Sequence, residues 1–223
     1  MRDPSVLIPS YNEAKTIGSI VSRLKGRDLA VYVVDDGSSD KTGEIAASAG
    51  AIVIKNDRNL GKGASLRRGF ERVLEDGCDA VIVMDGDDQH DAADIGHLVE
   101  KARECPAAGI VIGNRMLDTA SMPRIRVIVN KLMSLVMSRF AGQYVPDSQC
   151  GFRLIRREVL EKIELESSNF EIESEMIVKA AKANFRIESA PVKTVYQDEK
   201  SKINPLIDTL RFIVLMIKLN RGK

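Results

Sequence analysis

The sequence predicts an α/β protein with a mainly parallel central sheet flanked by helices and amphipathic helices toward its C-terminal end. Short β-branched runs alternate with helix-length segments through the first half of the chain, the pattern of strand–helix–strand units. The apolar runs are nearly continuous, as in strands covered on both faces. The composition is that of a folded chain, with 223 residues, 44% hydrophobic and 29% charged, long enough to bury roughly 70% of its unfolded surface. No repeat, low-complexity tract or linker breaks the pattern.

The elements follow in order. Ser5 to Pro9 reads as a short buried strand, followed by a helix over about Lys15 to Lys25. Val31 to Asp35 is a second strand, and the segment after Ser38 and Asp40 a capped helix stopped by Gly50. Ala51 to Lys55 is a third strand, with a helix from about Ala64 to Glu75. Ala80 to Met84 is a fourth, Asp91 an N-cap for a helix to about Cys105, and Gly109 to Gly113 a fifth. After Asn114 the pattern changes. Arg124 to Phe140 is a helical stretch rich in Val, Leu, Ile and Met, and Phe152 to Ile155 a strand. Glu171 to Asn184 is a helix, Arg186 to Val195 a strand, and Pro205 opens a final helix.

Several classes are excluded. A net charge of +1, 4% aromatic residues and no Trp disfavour a nucleic-acid partner. Cys78, Cys105 and Cys150 are widely spaced and form no CxxC motif, which fits a reduced, cytoplasmic setting. The apolar run after Pro4 is broken at Pro9 and Asn12, too short for a signal-peptide core. Phe212 to Ile217 falls far below the ~20 residues of a membrane span, so a soluble or peripheral protein is expected.

The chemistry gathers at the strand ends, where ligands of open parallel sheets bind. The first strand ends in Pro9-Ser-Tyr11-Asn12-Glu13, the second in Asp35-Asp36-Gly37-Ser38, the fourth in Asp85-Gly86-Asp87-Asp88-Gln89-His90, and the fifth in Gly113-Asn114-Arg115. Asp85, Asp87 and Gln89 offer oxygen ligands at alternate positions, which suit Mg²⁺ or Mn²⁺ with substrate phosphates completing the shell. A solvated turn is the other reading. Gly61-Lys62-Gly63 opens a helix, as a phosphate cradle or a tight turn. Leu66 in place of a third Gly removes the dinucleotide fingerprint, and no P-loop is present.

These segments together resemble the nucleotide-sugar glycosyltransferases of family two, in the branch of the polyprenyl-phosphate sugar synthases. The matching runs are Ile8-Pro-Ser-Tyr-Asn-Glu13, Val33-Val-Asp-Asp-Gly-Ser38, Asn59-Leu-Gly-Lys-Gly63, Met84-Asp-Gly-Asp-Asp-Gln-His90, Ile112-Gly-Asn-Arg115, Asp147-Ser-Gln-Cys-Gly-Phe-Arg153 and Glu199-Lys-Ser-Lys202. The resemblance implies a GT-A-type nucleotide-sugar-binding fold. The catalytic domain would span 1–203, with a donor half (1–115) and an acceptor half (116–203), followed by an amphipathic helix at 204–223. Pro9, Tyr11, Glu13, Val34 and Asp36 would hold the donor nucleoside. Lys62, Asp85 and Gly86 would face its diphosphate, and Asp85, Asp87 and Gln89 a divalent metal. Arg115, Lys200 and Lys202 would lie near the donor diphosphate or the acceptor phosphate, with Asp147 and Arg153 on the acceptor side. Asp87, Asp147, Arg115 and Arg153 are the candidate catalytic residues. Two departures stand out. Relatives often carry Ala at Gly86 and Leu at Asp88. Tyr196 to Lys200 also replaces an Arg-rich loop, leaving donor identity open.

An inverting, metal-dependent sugar transfer to a polyprenyl phosphate is the reaction implied. A phosphate acceptor is already anionic, whereas a hydroxyl acceptor on a saccharide or small metabolite needs a base, for which Asp147 is the candidate. Asp147 alternatively caps a turn after Pro146, and Arg115 and Arg153 alternatively form surface ion pairs. A nucleotidyltransferase would carry a Gly-rich basic loop after the first strand, and Pro9 to Glu13 is not one. A non-catalytic nucleotide-sugar sensor is the remaining rival. Cys150 has no nearby His to activate it, and His90 reads as a turn residue supporting Gln89, with a metal ligand or a proton carrier as the alternatives.

The second half carries a different signal. From Thr119 to Pro146 there are four basic residues, Arg124, Arg126, Lys131 and Arg139, and no acidic one. Interleaved Ile125, Ile128, Leu132, Leu135 and Val136 make this a basic amphipathic helix for an anionic membrane surface, such as the inner face of the cell membrane. A core-packing or homodimer helix is the alternative. The last helix repeats the theme with Arg211, Lys218 and Arg221. The carboxylates of Glu158 to Glu175 read as a solvated face.

Overall fold

The computed structural model describes residues 4–120, 122–193 and 205–221. In chain order the elements are β1 (Ser5–Ser10), α1 (Ile17–Lys25), β2 (Val31–Asp35), α2 (Thr42–Ser48), β3 (Ile52–Lys55), α3 (Lys62–Glu75), β4 (Ala80–Val83), a 3-10 turn (Ala92–Asp94), α4 (Ile95–Glu104) and β5 (Ala108–Asn114). Then come α5 (Arg124–Ala141), β6 (Arg153–Arg156), α6 (Arg157–Lys162), α7 (Ile172–Lys182), β7 (Arg186–Pro191) and α8 (Pro205–Arg221).

The strands form one seven-stranded sheet in the order β3-β2-β1-β4-β6-β5-β7, with β6 alone antiparallel to its neighbours. Strands β1, β2, β4 and β5 are buried along almost their whole length, as continuous apolar runs require. The chain winds outward from β1 to β3 and then returns to β4 on the other side of β1, creating a topological switch point at the carboxyl ends of β1 and β4. The β1–β4 ladder stops at Leu7–Val83, so the segments after both strands part there. Because β6 runs the opposite way, its first residue, Arg153, lies beside Val83 and Ile112. Loop 147–152 thereby reaches the same edge.

The element spans of the sequence reading hold to within a few residues, with three corrections. The six-residue helix α6 was not anticipated; it is too short to show a helical period. Asp91 caps the 3-10 turn, accepting from the Ala93 amide, and α4 follows at Ile95. Strand β7 ends at Pro191, and residues 194 and 195 lie outside the described ones. No described helix is long and apolar enough to cross a membrane.

Helix α5 is unusual. Of its 18 residues only Ser134 and Met137 are buried, while Ile125, Ile128, Leu132 and Leu135 are 59–68% exposed. It ends at Gly142 in the left-handed conformation, a common helix stop. Its inward serines hold the next loop: Ser134 Oγ accepts from the Ser148 amide at 2.9 Å and Ser138 Oγ from the Val145 amide at 2.9 Å. Helix α8 packs on α7, burying Leu215, Met216 and Leu219.

Candidate active site

The loops after β1, β2 and β4 are knitted together by short-range polar contacts. Asn12, at φ +56°, donates its amide to Ser38 Oγ (3.0 Å) and accepts from the Ser39 amide (2.9 Å). The Glu13 amide donates to Thr42 Oγ1 (2.8 Å), and Thr16 Oγ1 donates to the Gly86 carbonyl (2.6 Å). Pro9 and Glu13 are half-buried and Tyr11 is exposed at this corner. Val34 differs. Its side chain is wholly buried in the core, which leaves only its backbone near the edge.

Asp36 is buried, and its carboxylate points into the protein. Oδ1 accepts from Asn56 Nδ2 (2.8 Å) and the Leu60 amide (2.9 Å), and Oδ2 from the Gly61 amide (2.9 Å). It therefore shapes the turn that presents Lys62. Gly61 sits at φ +95°, where a Cβ would stand 2.4 Å from the Ser168 carbonyl oxygen, so only glycine fits. The amides of Gly63 and Ala64 both donate to that same carbonyl. The phosphate-cradle reading of Gly61-Lys62-Gly63 is thus corrected. The Gly61 and Gly63 amides are engaged within the protein, and the Lys62 ammonium pairs with Asp85 of the site.

Lys62 Nζ lies 2.6 Å from Asp85 Oδ1 and 2.7 Å from Glu173 Oε1. Burial pushes the Asp85 carboxyl up, but the adjacent Lys62, with His90 and Arg115, outweighs it and holds the group at about 2. Asp87 goes the other way. Burial and the negative charge of Asp85 raise it, offset in part by the Gln89 amide donating to its Oδ1 at 3.1 Å. Two carboxylates two residues apart, one strained by the other's charge, are a donor set that a hard divalent cation relieves. Such cations commonly take one or two protein carboxylates and complete their shell with waters and substrate phosphates. Asp85, Asp87 and Gln89 fit that description; among the described residues no third His, Cys, Asp or Glu completes an all-protein cage. Asp88 does not join them. It adopts φ +61° and its carboxylate pairs with Arg23 of α1.

Gly86 lies under this motif. A Cβ there would stand 2.9 Å from Ser10 Oγ, a buried hydroxyl with no partner among the described residues. His90 Nδ1 accepts from the Asp85 amide at 3.3 Å while its ring stacks on Phe152, with centroids 5.0 Å apart. Burial, the largest influence, lowers its pKa and favours the neutral ring. His90 therefore supports Asp85, not Gln89 as the sequence suggested.

On the opposite side, Asp147 is completely buried and clamped by Arg115. Its Oδ2 accepts from Arg115 Nε (2.7 Å) and the Arg115 amide (3.1 Å), and its Oδ1 from Nη2 (2.9 Å). Arg153 is likewise buried, donating to the carbonyls of Cys150 (2.8 Å), Ser148 (2.8 Å) and Glu173 (2.7 Å). Neither arginine forms the surface ion pair that the sequence left open. Burial raises the Cys150 thiol to about 11, so it stays protonated at neutral pH.

The sequence reading missed two residues. Glu173 and Glu175 belong to the acidic stretch read as a solvated face, yet Glu175 is 1% exposed and Glu173 turns into the site. The available signal was their position among Ile172, Met176 and Ile177 in a helix rich in apolar residues. Lys200 and Lys202 lie outside the described residues.

Comparison with known proteins matches residues 5–164 to Glycosyl transferase family 2. The chain belongs to that family. As a glycosyltransferase it shares 28% identity with the UDP-N-acetylglucosamine–dolichyl-phosphate N-acetylglucosaminyltransferase of Methanococcus voltae, over 86% of each chain. It shares 28% with the polyprenol monophosphomannose synthase of Mycolicibacterium smegmatis, over 84% of this chain and 75% of that one. Among solved structures, glucosyl-3-phosphoglycerate synthase from Mycobacterium tuberculosis superposes with a TM-score of 0.76 at 19% identity, covering 98% of this chain and 80% of that one. The glycosyltransferase thus has the mixed α/β GT-A fold of that neighbour.

Proposed function

We propose that this glycosyltransferase moves a sugar from a nucleotide-sugar donor to a polyprenyl phosphate, with inversion and with a divalent cation, Mg²⁺ or Mn²⁺. The observation that carries the acceptor class is the state of Asp147. Both of its oxygens are engaged by Arg115 in a fully buried clamp, so neither is presented to an acceptor hydroxyl. A phosphate oxygen needs no base to attack an anomeric carbon. Names of relatives support the reading, since one names a dolichyl-phosphate acceptor and the other a polyprenol monophosphomannose product.

Placement at the carboxyl edge supports the following roles. Pro9, Tyr11 and Glu13 with the backbone at Val34 line the nucleoside corner, and Asp36 shapes the turn that presents Lys62. Gly86 lets the backbone of the metal motif pass close under Ser10 and Glu13, where a Cβ would crowd their side chains. Asp85, Asp87 and Gln89 hold the cation, which when bound offsets charge developing on the leaving diphosphate. Lys62 adds a fixed positive charge in a half-buried setting, where it is worth more than in water. Arg115 and Arg153 order loop 147–153 against the acceptor side, and Lys200 and Lys202 are assigned there from the sequence alone. In this reading the catalytic domain is 1–203 and 204–223 is a peripheral amphipathic segment that contains α8.

The exposed face of α5 and α8 is the membrane-facing surface in this reading. An apolar groove of about 270 Å³ between them is lined by Val136, Phe140, Phe212, Ile213, Met216 and Ile217. Helix α5 also carries exposed Arg124, Arg126, Lys131 and Arg139. Apolar groups flanked by cations suit an anionic bilayer; a second copy of the chain is the competing occupant.

A thermal-shift panel of UDP, GDP and their sugars, with and without Mg²⁺ or Mn²⁺, tests the donor half. Mass spectrometry with a short isoprenyl phosphate tests the acceptor half. The expected result is stabilisation by one nucleotide family only with metal, and a sugar-phosphoprenol product. Transfer to a hydroxyl acceptor that Asp147→Asn abolishes would overturn the acceptor assignment, and no nucleotide response would overturn the donor assignment.

A further inference from the structure

Four charged side chains from distant parts of the sequence meet behind the diphosphate corner. They are Lys62 at the start of α3, Asp85 after β4, Arg153 at the start of β6 and Glu173 in the first turn of α7. Glu173 touches both cations. Its Oε1 lies 2.7 Å from Lys62 Nζ, its Oε2 3.5 Å from Arg153 Nη2, and its carbonyl accepts from Arg153 Nη1 at 2.7 Å. Lys62 in turn reaches Asp85 at 2.6 Å, while Arg153 holds the carbonyls of Ser148 and Cys150 on either side of Gln149. The loop backbone closes on the same group. A Cβ on Gly151 would stand 2.8 Å from Asp85 Oδ2 and 3.1 Å from Glu173 Oε1.

We propose that Glu173 is a positioning residue that couples Lys62 and Asp85 to loop 147–153 through Arg153. The names given to the two sides rest on the reading of donor and acceptor above; the mechanical link does not. Lys62 is held between two carboxylates. When an anionic diphosphate draws the ammonium toward itself, Glu173 must follow or lose its partner. The move passes to Arg153 and so to the carbonyls of Ser148 and Cys150. These groups are mostly buried, where an ion pair that loses one member leaves an uncompensated charge, so the four move together. The segment bearing Asp147 thereby registers occupancy at Lys62. Couplings of this kind change affinity by roughly 5- to 150-fold.

Amide hydrogen exchange on the whole chain tests the link with Glu173→Gln, which keeps the shape and removes the charge. Without nucleotide, exchange is expected to quicken at both 61–66 and 147–153 while β1, β2 and α1 stay unchanged. If only α7 and 163–169 respond, Glu173 is a local brace and the proposal fails. Saturating UDP or GDP with Mg²⁺ is expected to protect 61–66 in both proteins, but 147–153 only in the unaltered one. Equal protection of 147–153 in both proteins, or in neither, also overturns the coupling. If neither nucleotide protects 61–66 in the unaltered chain, the donor reading falls and the nucleotide-free comparison still decides the link. Should Glu173→Gln lose its cooperative melt, Lys62→Gln cuts the other arm of the same path. Loop 147–153 must then lose its nucleotide response, and retention of that response would sink the proposal.

Discussion

The carboxyl edge of the sheet and the α5–α8 face follow opposite rules. At the edge, charge is buried: Asp147, Arg153, Asp36 and Glu175 are all at most 4% exposed. On the face, hydrocarbon is exposed: Ile125 at 67%, Leu135 at 68% and Val214 at 65%. Both arrangements cost free energy, the first by desolvating ions and the second by about 25 cal/mol for each Å² of apolar surface left in water. They differ in how the cost is met. Each of these four buried charges has an opposite charge or a set of hydrogen bonds within the chain. The face has no described element covering it, and large apolar patches of this kind mark interaction surfaces. The edge is therefore to be broken by changing charge, and the face by adding it.

The largest effect is expected at Asp87. Asp87→Asn should lower sugar transfer on the order of 10³-fold, the scale of several kcal/mol of lost charge stabilisation. Its melting temperature should be equal or higher, because the substitution relieves the burial and like-charge repulsion that raise this carboxyl. Transfer assays and calorimetry on one preparation check both halves, and a variant at full activity would refute the metal assignment. Next comes Arg153→Met. It strands the carbonyls of Ser148, Cys150 and Glu173 and leaves Glu173 with one cation fewer, at a cost of about 3–5 kcal/mol in urea unfolding. A loss under 1 kcal/mol would show that water replaces the guanidinium.

Strands β1, β2, β4 and β5 were legible because buried parallel strands write themselves as unbroken apolar runs, and the turn residues beyond them stand out by contrast; β3 was legible from its β-branched run although it is only partly buried. The metal-type motif was legible for the same reason. What stayed hidden depends on partners far along the chain. Glu173 looks solvated until Lys62, 111 residues away, is brought beside it. Asp147 looks like a free base until Arg115, 32 residues away, closes on it. The reversed direction of β6, which delivers loop 147–152 to the edge, leaves no trace in a four-residue strand. Apolar periodicity in α5 was visible, but periodicity alone does not say whether a face turns inward or out.

The face is tested by the pair Leu132→Glu and Leu135→Glu. Both side chains are exposed, at 59% and 68%, so thermal stability should change little, within about 0.5 kcal/mol per site. Binding to phosphatidylglycerol-rich vesicles in a flotation assay should fall at least about 10-fold, and more at high salt, where the basic residues are screened. Transfer to a short, water-soluble isoprenyl phosphate should persist, since the edge is untouched. If vesicle binding survives while sedimentation shifts from dimer to monomer, the face is a contact between copies instead.

The smallest effect comes from Glu175, where the edge's internal bookkeeping depends on pH. Burial alone would raise this carboxyl, but Lys179 and the amides of Ser167 and Glu166 outweigh it and hold it below the ordinary glutamate value of 4.5. The folded state thus prefers the charged form more strongly than the unfolded chain does. The resulting stabilisation is complete above about 4.5 and is lost as pH falls through the lower native value. The loop it holds also carries Ser168, whose carbonyl receives the amides that start α3 beside Lys62. Glu175→Gln should therefore lower the melting temperature by about 2–4 °C at neutral pH, the shift expected for roughly 1 kcal/mol in a chain of this size. It should also flatten the decline in stability below pH 4.5. A variant that melts like the unaltered protein at pH 7 and loses stability just as steeply in acid would place the acid-sensitive contact elsewhere along the edge.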